Sequence, residues 1–315
     1  MRAMVAVVCL LLALTGSASA SVVNLSPSGT AGGTQIPAGN TQGAPANVID
    51  NDPDGTYYGN TANSATGNYY VTWATAKSLR TIRWMTSGAD TSRKVSDFTV
   101  LQLTGTDPTN PSDWTPIPGC SVSGSSALAV RFDLTNAVVT KGIKLDYVNV
   151  YRPLTGEFEA YDQPMIPVAT TMSAINQQYG APADAADGSP FSSWGSASLA
   201  NGPGWLEADL GQTRNIGGIR LRFRVQGTYY DAPQNWELQR WDSGMSQWVA
   251  VVTQTGWPSG SFLMETNLPG FKTTKMRLYA SVPRTTTNFP QGSLGVKELE
   301  LLTVPPPSGT LVLLH

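Results

Sequence analysis

The chain has 315 residues, of which 13% are charged and 41% hydrophobic, with 31 Gly, 22 Pro and a formal charge of −2. That length exceeds one ordinary β-sandwich and accommodates two, and the apolar content supplies their cores. The near-neutral balance, with no Lys/Arg run, excludes a basic nucleic-acid surface. Few charges among many Gly, Pro, Ser and Thr describe a turn-rich extracellular β-protein and exclude a disordered acidic chain.

The first segment reads as an export signal. Arg2 is its basic end, residues 4–14 are apolar, and Ser17-Ala-Ser-Ala20 closes it with a small-x-small cleavage pattern. The apolar run is too short to span a bilayer, so no transmembrane span is expected in the mature chain. Cys9 leaves with the signal, so Cys120 stands alone as a half-buried small hydrophobe and no intrachain disulfide forms. Residues 21–163 carry strand patterns at 69–74, 79–85, 97–103, 127–134, 141–150 and 156–161. Pro164-Met-Ile-Pro167 reads as a linker, because its prolines interrupt strand and helix alike. Residues 168–304 carry strands at 204–211, 219–225, 235–241, 248–253, 274–280 and 296–302. In the first of these Leu206, Ala208 and Leu210 alternate with Trp205, Glu207 and Asp209; in the second Ile219, Leu221, Phe223 and Val225 alternate with Arg220, Arg222 and Arg224. Residues 305–315 form a Pro-rich tail.

Self-similarity ties the two halves together. The octapeptides starting at Gly43 and Gly180 share Gly-Ala-Pro-Ala and end in Asp50 and Asp187, 137 positions apart. Near that spacing Leu79/Ile82 match Ile216/Ile219, Phe98 matches Trp236, and Trp114 matches Trp248. Ile143-Lys-Leu145 matches Met276-Arg-Leu278, and Glu157-Phe-Glu159 matches Glu298-Leu-Glu300. Ordered matches with small drifts mark two tandem copies separated by loop insertions. The expected fold is all-β, two antiparallel β-sandwiches of jelly-roll type.

From Asp187 the second copy runs through an acidic turn to Trp194, then Trp205-Leu-Glu-Ala-Asp-Leu-Gly211, a Trp236-x-Leu strand, Trp248, Met276-Arg-Leu-Tyr279 and Val296-Lys-Glu-Leu-Glu300. This series resembles discoidin-like domains, the coagulation factor V/VIII C-type, galactose-binding-like sandwiches that serve as bacterial carbohydrate-binding modules. The first copy keeps the acidic turn, Trp114 and Gly156-Glu-Phe-Glu159, but has Tyr69-Tyr-Val-Thr-Trp-Ala-Thr75 in place of W-x-x-x-D-L-G. Many vertebrate members carry a bridging cystine, so a mature chain with one Cys is similar to the bacterial kind.

The resemblance implies one structural Ca²⁺ per copy, held by the acidic turn and the closing Glu. The matching positions are Asp187, Ser189, Ser192 and Glu298 in the second copy, with Ala183 and Asp184 carbonyls beside them, and Asp50, Asp52, Thr56 and Glu157 in the first. A hard cation wants several oxygens at once, which a tight turn aims inward. The alternative is that Asp50 and Asp187 only stabilise Asx-turns. Asp50-Asn-Asp-Pro-Asp-Gly55 also starts like an EF-hand loop, but its twelfth position is Thr61, not an acid.

The resemblance further implies ligand capture by loops at one end of the sandwich, often of galactose-type sugars. An aromatic platform and hydroxyl-bonding groups suit that task. The second copy offers Trp194, Arg222, Arg224, Tyr229, Tyr230, Arg284, Asn288 and Phe289; the first offers Tyr57, Tyr58, Arg93, Asn149 and Arg152. Galactose-binding relatives place a His after the acidic turn's Trp, where this chain has Gly195, so a sugar other than galactose is expected. For each of these Tyr and Arg residues the plainer alternative is an ordinary solvated loop position.

The sole His is His315, so no Ser-His-Asp triad or Cys-His pair is available within either copy. A two-carboxylate glycosidase would need acids that the turns and strand ends already use, and no enzyme is expected. Val304-Pro-Pro-Pro-Ser-Gly-Thr-Leu-Val-Leu-Leu314 resembles the start of the PEP-CTERM sorting signal, without its apolar span; truncation and a Pro-rich disordered terminus are both open. The sequence thus predicts a non-catalytic bacterial exported protein, secreted or at the cell surface, that binds a glycan or an extracellular matrix ligand. The alternative is a structural or adhesive protein of the same fold that binds a protein partner.

Overall fold

The computed structural model describes residues 24–53, 56–87, 92–162, 171–175, 177–189, 191–196, 203–226, 229–230, 232–258, 261, 263–282 and 292–303. The segments expected as signal peptide (1–20), linker (164–167) and tail (305–315) lie outside the described residues. The first copy contributes β1 (Thr30–Ile36), β2 (Thr41–Gly43), β3 (Tyr58–Asn60), β4 (Ala65–Met85), β5 (Phe98–Leu103), β6 (Trp114–Val122), β7 (Ala129–Val150), β8 (Leu154–Thr155) and β9 (Glu157–Tyr161). The second contributes β10 (Thr171–Ala174), β11 (Gln177–Tyr179), β12 (Trp194–Ser196), β13 (Gly204–Phe223), β14 (Val225–Gln226), β15 (Tyr229–Tyr230), β16 (Asn235–Asp242), β17 (Gln247–Gln254), β18 (Leu263–Val282) and β19 (Gly295–Thr303). Among the described residues the only helical pieces are short 3₁₀ turns, including Pro45–Val48 and Pro182–Ala185 in the two matching octapeptides.

Both copies are antiparallel β-sandwiches wound alike. In the first the order is β1-β4-β7-β5-β6, with β9 also on β4. In the second β10, β13, β18, β16, β17 and β19 take the places of β1, β4, β7, β5, β6 and β9. Segments expected as separate strands are continuous: 69–74 and 79–85 are one strand, β4, and 204–211 joins 219–223 as β13. Register shifts between Thr72 and Lys77 and between Asp209 and Arg214 mark the joins. Their polar residues read as turns, but they form bulges that redirect a strand without ending it. The first half of β4 therefore pairs β1 and the end of β7, while its second half pairs β9 and the start of β7.

The alternation in the sequence places the cores. Leu206, Ala208, Leu210, Ile219, Leu221 and Phe223 are buried together. Trp236 is fully buried, 5.7 Å from Phe223 and 5.5 Å from Trp257 by ring centroids. In the first core Trp84 lies 5.4 Å from Phe98, and Tyr69 meets Phe158 edge-on at 5.5 Å. Each such side chain contributes about 1.5–3 kcal/mol by burial. Cys120 is 1% exposed, and burial pushes its thiol up to about 11, which leaves it an inert core residue.

The two modules dock through paired strands. On the first, Arg83 of β4 sits opposite Glu159 of β9; on the second, Arg220 of β13 sits opposite Glu300 of β19. Ion pairs also cross between modules. Arg83 Nη1 donates to Glu300 Oε1 and Oε2 at 3.0 and 3.2 Å. Arg220 Nη1 donates to Glu159 Oε2 at 2.8 Å, and Arg220 Nη2 donates to Glu159 Oε1. Against the pull of burial, Arg220 and Arg83 hold the Glu159 carboxyl below its ordinary value. Tyr161 and Leu302 form an apolar contact beside these pairs.

Candidate functional site: acidic turns and a strand-end aromatic pair

Each matching octapeptide folds as a 3₁₀ turn that delivers its Asp to a tight turn. Asp187 Oδ1 accepts from the Ser189 amide at 2.8 Å, and its Oδ2 accepts from Ser192 Oγ at 2.7 Å. Asp50 Oδ1 accepts from the Asp52 amide at 2.9 Å, and its Oδ2 accepts from Thr56 Oγ1 at 2.6 Å. The residue after each Asp is left-handed: Gly188 has φ +79° and Asn51 has φ +64°. Gly and Asn are the residues that tolerate this backbone. The Ala183 carbonyl is engaged by the Ala186 amide at 3.0 Å within the 3₁₀ turn.

These bonds alone make Asx-turns, but the closing glutamates do not fit that account. Glu157 is fully buried, and neither carboxylate oxygen has a hydrogen-bond partner. Glu298 is 3% exposed; Oε1 has one long bond from the Gly188 amide at 3.4 Å, and Oε2 has none. Burial, then the charges of Glu159 and Asp50, push the Glu157 carboxyl well above its ordinary value, with Arg222 and Arg220 opposing. Burial, Glu300 and Asp187 do the same to Glu298, with Arg83 opposing. A buried carboxyl without donors costs free energy unless it is protonated or meets a cation. Among the described residues no three Asp, Glu, His or Cys side chains converge. A cation at either turn would therefore draw on hydroxyl and carbonyl oxygens besides the two carboxylates, a donor set that suits a hard ion.

The expected ligand residues separate in the structure. Trp194 is 0% exposed within the second core and offers no ring face to a sugar. Arg222 is 2% exposed at the module junction, where its Nη1 donates to the Asn51 carbonyl at 3.1 Å. Alternation put Arg222 on a charged face correctly but could not tell that the other module covers that face. The backbones of Tyr229 and Tyr230 pair with Gln226 and Val225. Their side chains, and Arg284, Asn288 and Phe289 altogether, lie outside the described residues.

Arg224 remains half-exposed, beyond the end of β13, where its amide donates to the Gly295 carbonyl at 3.0 Å. Its guanidinium lies 4.1 Å from the centroid of the Tyr179 ring. Tyr179 pairs with Gly195 across β11 and β12, and its ring fills the space that a Cβ at 195 would take. Thus Gly195 is required by Tyr179, whose ring takes the space of a side chain at 195. A stacked guanidinium is a rigid fork of donors suited to hydroxyl pairs or a carboxylate. Tyr179 was missed in the sequence because its role arises from cross-strand register, with no motif of its own.

The first module closes the matching region. Arg93 is 8% exposed and donates to the Arg152 carbonyl at 3.0 Å, Gln42 Oε1 at 3.0 Å and the Asn60 carbonyl at 2.7 Å. Tyr58 is buried. These are structural bonds, so of the first copy's candidates Arg93 and Tyr58 are fixed parts of the fold.

Residues 184–278, within the second module, match the F5/F8 type C family described as the NedA-like, galactose-binding domain. Solved structures similar to the chain include chitosan-binding module 1 of a chitosanase/glucanase from Paenibacillus sp. IK-5, at 20% identity and TM-score 0.36, covering 43% of this chain and 98% of that one. Another is a fucolectin from striped bass (Morone saxatilis) serum, at 13% identity and TM-score 0.37, covering 90% and 98%. A third is the family 32 carbohydrate-binding module of Clostridium perfringens NanJ in complex with galactose, at 17% identity and TM-score 0.36, covering 42% and 92%. No curated protein matches the chain. Among the described residues no helix is long and apolar enough to cross a membrane.

Proposed function

We propose that the chain is a secreted, non-catalytic carbohydrate-binding protein whose second module holds a glycan at the strand ends around Tyr179 and Arg224. The match of residues 184–278 to a galactose-binding domain carries this reading, and the half-exposed Tyr179–Arg224 stack supports it. With the His position given to Gly195, hydroxyl recognition passes to the guanidinium, which favours a sugar other than plain galactose. Each acidic turn, with Glu157 or Glu298, is proposed to hold a structural Ca²⁺, because a cation would satisfy the buried carboxylate oxygens that lack donors. A glycan array probed with the signal-cleaved chain tests the reading. Binding to one or a few glycan classes is expected, and an array without any bound glycan would refute it.

One observation favours the adhesive alternative. The outer face of the second module carries Trp205, Tyr279, Trp241 and Trp248, all half-exposed, with Arg277 lying 4.4 Å from Trp248 and 5.1 Å from Tyr279. Aromatic and Arg side chains are enriched where proteins meet.

A further inference from the structure

The junction is self-complementary in a specific way. Arg83 and Arg220 are equivalent positions of the two copies, 137 apart, and Glu159 and Glu300 are equivalent positions 141 apart. Each arginine reaches the other module's glutamate, the i-to-j and j-to-i pattern of a two-fold interface. The same contacts extend to the acidic turns. Arg83 Nη2 donates to the Gly188 carbonyl at 2.7 Å, next to Asp187, and Arg222 Nη1 donates to the Asn51 carbonyl, next to Asp50, at 3.1 Å. The glutamates with donor-free oxygens, Glu157 and Glu298, lie on β9 and β19 two positions before the junction glutamates, alternating to the same side.

We propose that each acidic turn is clamped by an arginine of the opposite module, so that Ca²⁺ binding at the turns and docking of the modules form one linked equilibrium. This rests on the cation reading given under Proposed function. A cation that orders the turn fixes the carbonyl which the opposite arginine needs. Docking in turn holds that carbonyl, and with it the turn, in the conformation that binds. Linkage makes the effect reciprocal, so the two turns load cooperatively. Without the cation, both buried Glu157 carboxylate oxygens and Glu298 Oε2 stay without donors, and the charged faces gain by separating into water.

The full mature chain is titrated with Ca²⁺ by calorimetry, and its solution scattering is recorded with Ca²⁺ and with chelator. Expected are two sites with positive cooperativity, a larger maximum dimension in chelator, and affinity about tenfold weaker in Arg83→Gln, a typical size for such coupling. Ca²⁺ binding with scattering unchanged by chelator would overturn the coupling and leave the cation reading intact. No Ca²⁺ binding at all would overturn both. Should Arg83→Gln fail to fold, the scattering of the unmutated chain decides alone.

Discussion

Arg83 and Glu300 are 217 positions apart in the chain and meet at 3.0 Å, each side chain 4% exposed. This contact joins the two tandem copies directly. A pair taken this far out of water is held by its partner's charge, because desolvation of either group alone is unfavourable.

Removing one partner should therefore cost more than removing both. Glu300→Ala is expected to lower the unfolding free energy by about 3–5 kcal/mol, because buried Arg83 loses its 3.0 Å carboxylate partner and keeps only the 3.9 Å contact to Glu159 and the Gly188 carbonyl. Arg83→Met combined with Glu300→Leu should recover most of that loss, since buried ion pairs replaced by apolar groups of like volume are often neutral. Urea unfolding of the three variants checks this. Equal losses in the single and double variants would contradict it.

The metal-free chain should weaken as pH rises. Burial raises the folded-state carboxyls of Glu157 and Glu298 well above their unfolded values, so the folded state binds more protons between the two. Stability linked to a raised acid is fully present below the unfolded value, about 4.3, and is lost as pH rises toward the folded one. In chelator the melting temperature should fall from pH 5 to pH 7.5. Excess Ca²⁺ should restore it, by about 2.7 kcal/mol at a hundredfold excess over Kd. Glu157→Gln with Glu298→Gln should flatten the chelator curve. A curve unchanged by these substitutions would show that other groups set the dependence.

Gly195→His tests the Tyr179 packing. A side chain at 195 overlaps the Tyr179 ring, so the single change should destabilise by about 1–3 kcal/mol through overpacking. Adding Tyr179→Ala should relieve most of that. Thermal melts that show the single variant as stable as the parent would mean that Tyr179 moves aside freely.

The repeat and both cores were legible in the sequence for one reason: period-two alternation reports which residues share a face. Leu206, Ala208 and Leu210 are buried and Trp205, Glu207 and Asp209 are not, as their spacing requires. The same alternation set Arg220 and Arg222 on a charged face, but it carries no information about what covers that face, and here the other module does. Residues 75–78 and 211–213 have turn composition, and only cross-strand pairing distinguishes a bulge from a turn. Trp194 read as a platform because it adjoins the acidic turn, yet β12 turns it into the core. The acidic turns themselves were legible, since Asp, Ser, Thr and a left-handed Gly or Asn act locally.

The central claim is that the second module holds its glycan through Arg224. Calorimetric titration of the strongest array glycan into the parent chain and Arg224→Ala tests it most directly. Loss of charge-assisted hydrogen bonds worth about 1.5–3 kcal/mol should weaken binding roughly 10- to 150-fold, with the melting temperature unchanged because Arg224 is half-exposed and outside the core. Parent-like affinity in Arg224→Ala would place the glycan elsewhere and contradict the account.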